Sequence, residues 1–135
     1  KNYASHIGAE VVIAYKERKK ANVVEEMFLI GDVKDRNVIL IDDMIDTAGT
    51  LCKAAEILVK NGAKSVRAMA THAVFSGKAY ENIEKSHISE VIVTDTIPVK
   101  NELSSKIKVL SCAKLFADVM KMVHEHKSIS DKFII

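Results

Sequence analysis

Short apolar runs alternate along this chain with segments whose apolar residues recur at the spacing of a helix. Residues 38–41, Val-Ile-Leu-Ile, contain no polar position, which is typical of a strand covered on both faces in a parallel sheet. Other short apolar runs, several of them bounded by charged or turn residues, also predict strands. The predicted strands comprise residues 11–14, 28–30, 38–41, 66–70 and 90–93.

Helical spacing is clearest after residue 50. Leu51, Ala54, Ala55 and Leu58 follow the i, i+3, i+4, i+7 pattern of one apolar helix face, and Gly62 is suited to end this helix. Two further helices are predicted over residues 78–84 and 113–123. The alternation of strands and helices predicts an α/β fold, with a mainly parallel sheet flanked by helices. Such sheets bind ligands at the carboxyl ends of their strands.

The segment after residues 38–41 carries the most informative chemistry. It reads Asp-Asp-Met-Ile-Asp-Thr-Ala-Gly-Thr over residues 42–50 and leads directly into the predicted helix. A helix start has unpaired N–H groups and a partial positive charge. Gly49 allows close backbone approach, and the Thr47 and Thr50 hydroxyls can donate hydrogen bonds. This turn is therefore suited to hold a phosphate.

The carboxylates of this segment need a different target, because like charges repel. Asp42 and Asp43 are suited to hydroxyl donors or to a metal ion. A phosphate at one end and hydroxyl groups at the other describe a phosphorylated sugar. The alternative is an ordinary helix start, in which Asp46 or Thr47 caps the helix and Asp42 and Asp43 are merely exposed.

Residues 38–50 resemble the phosphoribosyl-pyrophosphate loop of proteins with the type I phosphoribosyltransferase fold. Over nearly the whole chain, an ordered set of motifs resembles the C-terminal half of the ribose-phosphate pyrophosphokinase family. Residues 1–135 are accordingly expected to form one C-terminal phosphoribosyltransferase-like domain, without the N-terminal domain of the family. The other segments that carry the resemblance are residues 16–22, 30–33, 71–72, 75–77, 94–98 and 128–130.

The resemblance implies a reaction as well as a fold. The diphosphoryl group of Mg-ATP would pass to the 1-hydroxyl of ribose 5-phosphate, giving 5-phosphoribosyl 1-pyrophosphate and AMP for nucleotide biosynthesis. Mg²⁺ would act with ATP, and the metal-binding and adenine-binding residues would lie outside this chain, which alone should be inactive in synthesis. Asp42 and Asp43 would accept from the ribose hydroxyls. The 5-phosphate would be held by Asp46, Thr47, Ala48, Gly49 and Thr50.

Residues 16–20 form a dense basic run, Lys-Glu-Arg-Lys-Lys. In an extended segment Lys16 and Arg18 would point to the same side. The resemblance implies that Lys16 stabilises the transition state, where positive charge must face the moving phosphoryl oxygens, and that Arg18 helps to hold the phosphates. Taken without the resemblance, a solvated charged loop is the simpler interpretation. A nucleic-acid patch has little support, because no aromatic residue is interleaved with the charges.

Histidines and the end of the chain offer further candidates. His72, beside the end of a predicted strand, could approach the site, although a structural role is favoured. His124 and His126 are two residues apart on a predicted helix and do not share the face that a metal pair would need. The resemblance implies that a phosphate activator or an ADP inhibitor would be bound with the help of Ser128, Ser130 and Phe133.

Composition adds few constraints. The 135 residues carry 20 Lys and Arg against 18 Asp and Glu, a net charge of +2 that does not favour nucleic acid or a membrane as the main partner. Two cysteines cannot form a disulfide framework, so buried, reduced thiols in a cytoplasmic protein are expected. The chain begins with Lys1 rather than Met, so we expect it to be part of a longer protein.

Two other functions stay open. A phosphoribosyltransferase of the same fold would share the loop at residues 42–50 but would consume phosphoribosyl pyrophosphate rather than make it. A non-catalytic, synthetase-associated regulatory subunit would act through assembly, although the presence of both Lys16 and Arg18 argues against it. A homo-oligomer, with hexamers built from dimers, is implied by the resemblance alone.

Overall fold

The computed structural model describes residues 2–17, 26–100 and 104–133. Contacts divide the chain into two compact units: a sheet unit, Val12–Leu110, and a terminal unit that combines Lys1–Val11 with Ser111–Ile135. In chain order the elements are α1 (Asn2–Ile7), β1 (Ile13–Glu17), β2 (Glu26–Ile30), β3 (Asn37–Ile45), α2 (Gly49–Lys60), β4 (Ser65–Ala73), α3 (Ala79–Lys85), β5 (Ile88–Thr94), β6 (Ile107–Leu110), α4 (Ala113–His124) and a 3-10 helix (Ser130–Lys132).

The sheet unit is built around a parallel sheet with the strand order β3-β4-β5-β6. All three pairings in this sheet are parallel, and β3 runs beside β4 from the pair Asn37 and Ser65 to the pair Ile45 and Ala73. Strands β1 and β2 pair antiparallel as a separate two-stranded sheet. The predicted α/β fold with a mainly parallel sheet is therefore confirmed.

The core of the sheet unit lies between one face of the parallel sheet and its helices. Val66, Val91 and Val93 on the strands and Leu58 and Ile83 on the helices are at most 2% exposed. Removing apolar surface from water stabilises this packing by roughly 25 cal/mol per Å² buried. The core fixes α2 against the sheet, so the start of α2 has a defined position beside the end of β3.

Strand β3 differs from the prediction in length and in burial. It continues past residue 41 through the two acids to Ile45, so the turn begins four residues later than the apolar run suggests. Its side chains alternate: Val38 and Leu40 are half-buried, whereas Ile39 and Ile41 are 46% and 52% exposed. Among the described residues this second face of β3 is therefore exposed, because only alternate side chains of a strand face the helix-packed core.

Helix α2 ends beside Gly62, as the sequence predicts. The backbone N–H of Gly62 donates to the Val59 carbonyl at 2.9 Å, and Gly62 has a φ of +89°, which glycine adopts without strain. The side-chain amide of Asn61 donates to the Ile57 carbonyl at 2.8 Å and satisfies another helix-end group. The predicted helices at residues 78–84 and 113–123 are confirmed within one residue as α3 and α4.

The other face of the parallel sheet carries a small charge cluster. Glu90 on β5 accepts from Lys108 Nζ at 2.5 Å and lies 3.6 Å from Arg67 Nε. The hydrogen bond from Lys108 lowers the pKa of the Glu90 carboxyl below its ordinary value. This carboxylate therefore links the three strands β4, β5 and β6 through charge.

Two sequence expectations concern the chain as a whole. Cys52 and Cys112 do not form a disulfide, and both are half-buried rather than buried. Partial burial raises the pKa of the Cys52 thiol, because a thiolate is poorly solvated there. Among the described helices, none combines the length and apolar character that crossing a membrane would require.

Candidate functional site

A cavity of about 190 Å³ opens where β3 ends and α2 begins. It is lined by Asp42 and by residues 44–51, so it coincides with the segment that the sequence singles out. Asp42, Asp46, Thr47 and Thr50 are all exposed at this site. A small ligand could therefore reach their side chains from solvent without any rearrangement of the core.

The turn before α2 has backbone N–H groups among the residues that line the cavity. Ala48 adopts a left-handed conformation with φ 61° and ψ 2°, and its carbonyl accepts the first helical hydrogen bond from Cys52 N at 2.9 Å. Such a φ costs a non-glycine residue about 1–2 kcal/mol. Within the described part of the chain no side chain caps α2 at its start, so neither Asp46 nor Thr47 does so. The alternative that Asp46 or Thr47 caps the helix is therefore wrong, although Asp42 and Asp43 are exposed, as that alternative also expects.

Because no side chain among the described residues caps the start of α2 with a hydrogen bond, its first N–H groups are available to a ligand. A left-handed residue directly before a helix also gathers successive N–H groups into a concave, anion-binding arrangement. The helix dipole adds a partial positive charge at the same place. The electrostatics of this end of the cavity thus favour an anion such as phosphate.

Gly49, the first residue of α2, is not required by the fold. Its backbone lacks a positive φ, and a Cβ built there would meet only Thr47 Oγ1, at 3.8 Å. Such a distance is ordinary van der Waals contact. Since the protein itself leaves room for a side chain, the space above Gly49 is open for a ligand that approaches the backbone.

The two adjacent acids are placed differently. Asp42 lines the cavity, whereas Asp43, the next residue along the strand, is absent from its lining. Successive strand residues point to opposite faces, which explains the difference. One oxygen of Asp42, Oδ1, accepts from Asp43 N at 2.9 Å. The second carboxylate oxygen of Asp42 is the candidate acceptor for a ligand hydroxyl.

The turn at Asp46 and Thr47 accepts hydrogen bonds from the segment between β4 and α3 and from α3. The sequence pattern assigned neither of these segments a role at the site. Ser76 Oγ donates to Asp46 Oδ1 in a short hydrogen bond, and Ser76 N donates to the Asp46 carbonyl at 3.1 Å. Asn82 on α3 donates through Nδ2 to the Thr47 carbonyl at 2.9 Å. These partners are 30 and 35 residues from the loop in sequence. Local pattern therefore offered no signal for either contact.

His72 lies on β4 directly beside Met44 of β3, close to the cavity in the sheet. Its Nδ1 is 3.0 Å from Thr96 Oγ1, and Thr94 and Thr96 both donate to the Thr71 carbonyl, at 2.7 and 3.1 Å. His72 thus joins a polar network at the carboxyl ends of β4 and β5. This contact agrees with the structural role favoured from the sequence.

The remaining candidates are only partly described. Lys16 belongs to β1, where its backbone lies opposite Met27, but its side chain and all of Arg18 fall outside the described residues. In the terminal unit, Ser128 Oγ and Ser130 Oγ are 2.5 Å apart, and Phe133 is 62% exposed. The roles predicted for these five residues stay predictions.

Side chains in the described part of the chain do not group three or more His, Cys, Asp or Glu as a metal site would need. The expected role of Mg²⁺ together with ATP stays a prediction.

Comparison with known proteins identifies relatives over nearly the whole chain. A family model described as "Phosphoribosyl synthetase-associated domain" matches residues 5–134. The chain is 55% identical over 132 residues to a ribose-phosphate pyrophosphokinase of Wolinella succinogenes. The aligned region covers 98% of this chain and 42% of the relative. The chain is 54% identical to the Campylobacter jejuni protein of the same name, covering 99% of this chain and 43% of that relative.

A solved structure shows the same fold. The crystal structure of phosphoribosylpyrophosphate synthetase from Mycobacterium smegmatis matches with a TM-score of 0.82 at 36% identity, over 92% of this chain and 40% of that one. The chain thus spans somewhat over two-fifths of the length of the two relatives. The coverage fractions state how much of each relative is aligned but not which part of it. The expectation that the chain corresponds to the C-terminal half of an enzyme therefore stays a prediction.

Proposed function

Since this chain belongs to the phosphoribosyl synthetase-associated domain family, we propose that it supplies the ribose 5-phosphate site of an enzyme that makes 5-phosphoribosyl 1-pyrophosphate. In that reaction the ribose 1-hydroxyl oxygen forms a bond to the β-phosphorus of Mg-ATP. The bond from that phosphorus to the α-phosphate oxygen breaks, AMP leaves, and the hydroxyl proton is lost to solvent or a base. Relatives named as ribose-phosphate pyrophosphokinases support this proposal.

One observation carries the proposal: a single cavity combines a helix start without a side-chain cap and an exposed carboxylate. The 5-phosphate would accept from the N–H groups and hydroxyls of residues 46–50, where the helix dipole favours an anion. Asp42 would accept from the ribose hydroxyls. At about 190 Å³ the cavity has room for a small ligand such as a sugar phosphate.

The other residues of the proposed machinery act around that cavity. Lys16 would stabilise the charge that spreads over the transferred phosphoryl oxygens, and Arg18 would hold the phosphates in line for transfer. Asp43, which does not line the cavity, would contribute to the ribose hydroxyls only through its neighbour Asp42. Cytoplasmic localisation, homo-oligomeric assembly and regulation by phosphate or ADP complete the proposal.

Calorimetric titration of this chain with ribose 5-phosphate tests the site. We expect ribose 5-phosphate to bind and ribose to bind far more weakly, because the phosphate contributes charge-assisted hydrogen bonds. Asp42→Asn should weaken binding about tenfold, since a hydrogen bond to a charged group contributes roughly 1.5–3 kcal/mol. The control Asp118→Asn, in the terminal unit, should leave the affinity unchanged. Equal affinity for ribose, or an Asp42→Asn variant that binds normally, would contradict the proposal.

The reaction itself is tested in a protein that contains this chain and has the full length of its relatives. Lys16→Ala should lower turnover by at least about 10²-fold, as expected when preorganised transition-state charge is removed. Product analysis with Mg-ATP and ribose 5-phosphate separates synthesis from the alternatives. A phosphoribosyltransferase would instead need a free base and phosphoribosyl pyrophosphate. A non-catalytic subunit, which the words "synthetase-associated" in the family description also fit, would give no product with either set.

A further inference from the structure

Three consecutive carbonyls, from the last residue of β3 into the following turn, accept hydrogen bonds from the segment between β4 and α3 and from α3 itself. The Ile45 carbonyl accepts from Phe75 N at 3.0 Å, and the Asp46 carbonyl accepts from Ser76 N at 3.1 Å. The next carbonyl, that of Thr47, accepts from the Asn82 side chain at 2.9 Å. The first two bonds come from backbone groups, which every residue except proline possesses. The third depends on a side chain and hence on the identity of residue 82.

These hydrogen bonds determine the direction in which the N–H groups of Thr47 and Ala48 point, because a peptide group is planar. In a planar trans peptide the carbonyl oxygen and the following N–H point to opposite sides. A Thr47 carbonyl bound to Asn82 therefore turns Ala48 N–H away from α3. In the same way, an Asp46 carbonyl that accepts from Ser76 N turns Thr47 N–H away from the segment between β4 and α3. Both N–H groups belong to residues that line the cavity.

Ser76 holds the loop a second time through its side chain. Its hydroxyl donates to Asp46 Oδ1, so one carboxylate oxygen of Asp46 is bound within the protein. This bond prevents the Asp46 carboxylate from rotating freely toward the phosphate position, where a like charge would oppose binding. Ser76 therefore fixes both the backbone and the charge of the residue that begins the turn.

We propose that Ser76 and Asn82 are positioning residues that orient the N–H groups and the acid of the phosphate-binding turn. This inference rests on the proposed function, because it concerns the same ribose 5-phosphate site. Neither residue lines the cavity, so neither is proposed to touch the sugar phosphate. They act through Asp46, Thr47 and Ala48, whose left-handed conformation needs support from its surroundings.

Calorimetric titration of the 135-residue chain with ribose 5-phosphate tests this role. Asn82→Ala and Ser76→Ala should each weaken binding about tenfold, the effect of one lost hydrogen bond of ordinary net strength. Ser76→Thr keeps the hydroxyl and should restore most of the affinity. Asn82→Asp should not restore it, because a carboxylate cannot donate to the Thr47 carbonyl.

Matched controls separate positioning from general stability. Asn61→Ala removes the same type of bond, an Asn side-chain amide to a backbone carbonyl at 2.8 Å, from the far end of α2. Ser89→Ala removes a serine hydroxyl bond to the Val66 carbonyl at 3.0 Å, at the opposite end of the sheet. Both controls should lower the free energy of unfolding by amounts similar to the test variants and leave ribose 5-phosphate affinity unchanged.

The outcomes distinguish this inference from the function on which it rests. If the unmodified chain binds ribose 5-phosphate and Ser76→Ala and Asn82→Ala bind it equally well, the positioning role is wrong and the site stands. Controls that lose as much affinity as the test variants would also overturn it, since the effect would then be one of stability. If the unmodified chain binds ribose and ribose 5-phosphate with equal affinity, the proposed function is wrong, and this inference is then wrong as well.

Discussion

Gly49→Ala should separate folding from binding at the start of α2. The new methyl group meets only Thr47 Oγ1, at 3.8 Å, and the backbone at Gly49 needs no positive φ. Alanine also restricts the unfolded chain more than glycine does and is the better helix former. We therefore expect the free energy of unfolding to stay equal or to rise by about 0.4–1 kcal/mol.

The same methyl group should weaken ligand binding. A phosphate oxygen must come within about 2.7–3.2 Å of a backbone nitrogen to accept its hydrogen, whereas a carbon atom keeps neighbours at about 3.5–4.0 Å. A Cβ at Gly49 would occupy part of the space through which the phosphate reaches the turn. Loss of one charge-assisted hydrogen bond, roughly 1.5–3 kcal/mol, corresponds to an affinity loss of about 10- to 100-fold.

Urea denaturation and calorimetric titration with ribose 5-phosphate measure the two effects on the same samples. The matched control is Gly62→Ala, at the other end of α2, where φ is +89° and a Cβ would lie 3.4 Å from Lys34 Cγ. This control should lose roughly 1–2 kcal/mol of stability and keep its affinity. A Gly49→Ala variant that binds as tightly as the unmodified chain would refute the assignment of the phosphate to this turn.

Two predictions concern stability. Lys106 Nζ donates to the carbonyls of Ile83, Glu84 and Ser86 at 3.1, 2.8 and 3.0 Å, so Lys106→Met should cost about 2 kcal/mol in urea denaturation. The exposed Lys114→Met control should cost much less, and equal losses would contradict the inference that Lys106 caps the carbonyl end of α3. Because the pKa of Glu90 is lowered in the folded state, its contribution to stability is present above its unfolded pKa of about 4.3 and is lost as the pH falls further. The stability difference between the unmodified chain and Glu90→Gln should therefore shrink as the pH falls below the ordinary pKa of a glutamate, and a difference independent of pH would argue against it.

Much of the fold could be predicted from pattern because its core follows simple periodicities. The face of α2 that carries Ala54, Ala55 and Leu58 is buried as the spacing predicts, and Gly62 ends the helix. Strand β6 was missed, since its four residues, Ile107–Leu110, alternate with a lysine and form a short run. The length of β3 was underestimated, because charged residues usually end a strand but here continue it at the open end of a site.

The site could be predicted only where its residues are consecutive. Residues 42–50 are adjacent in sequence, so their chemistry was visible as a motif. The contribution of Ser76 and Asn82 depends on a crossover that brings α3 back to the end of β3, which no local pattern encodes. The left-handed Ala48 was also unexpected, since that conformation is more often taken by glycine.

The central claim, that residues 46–50 bind the phosphate of a phosphorylated pentose, is tested most directly by amide NMR of this chain. Titration with ribose 5-phosphate should shift the N–H signals of Thr47, Ala48, Gly49 and Thr50 strongly, because their protons would donate to phosphate oxygens. Ribose at the same concentration should leave these four signals almost unchanged. Equal shifts with ribose, or ribose 5-phosphate shifts confined to residues outside the turn, would contradict the claim.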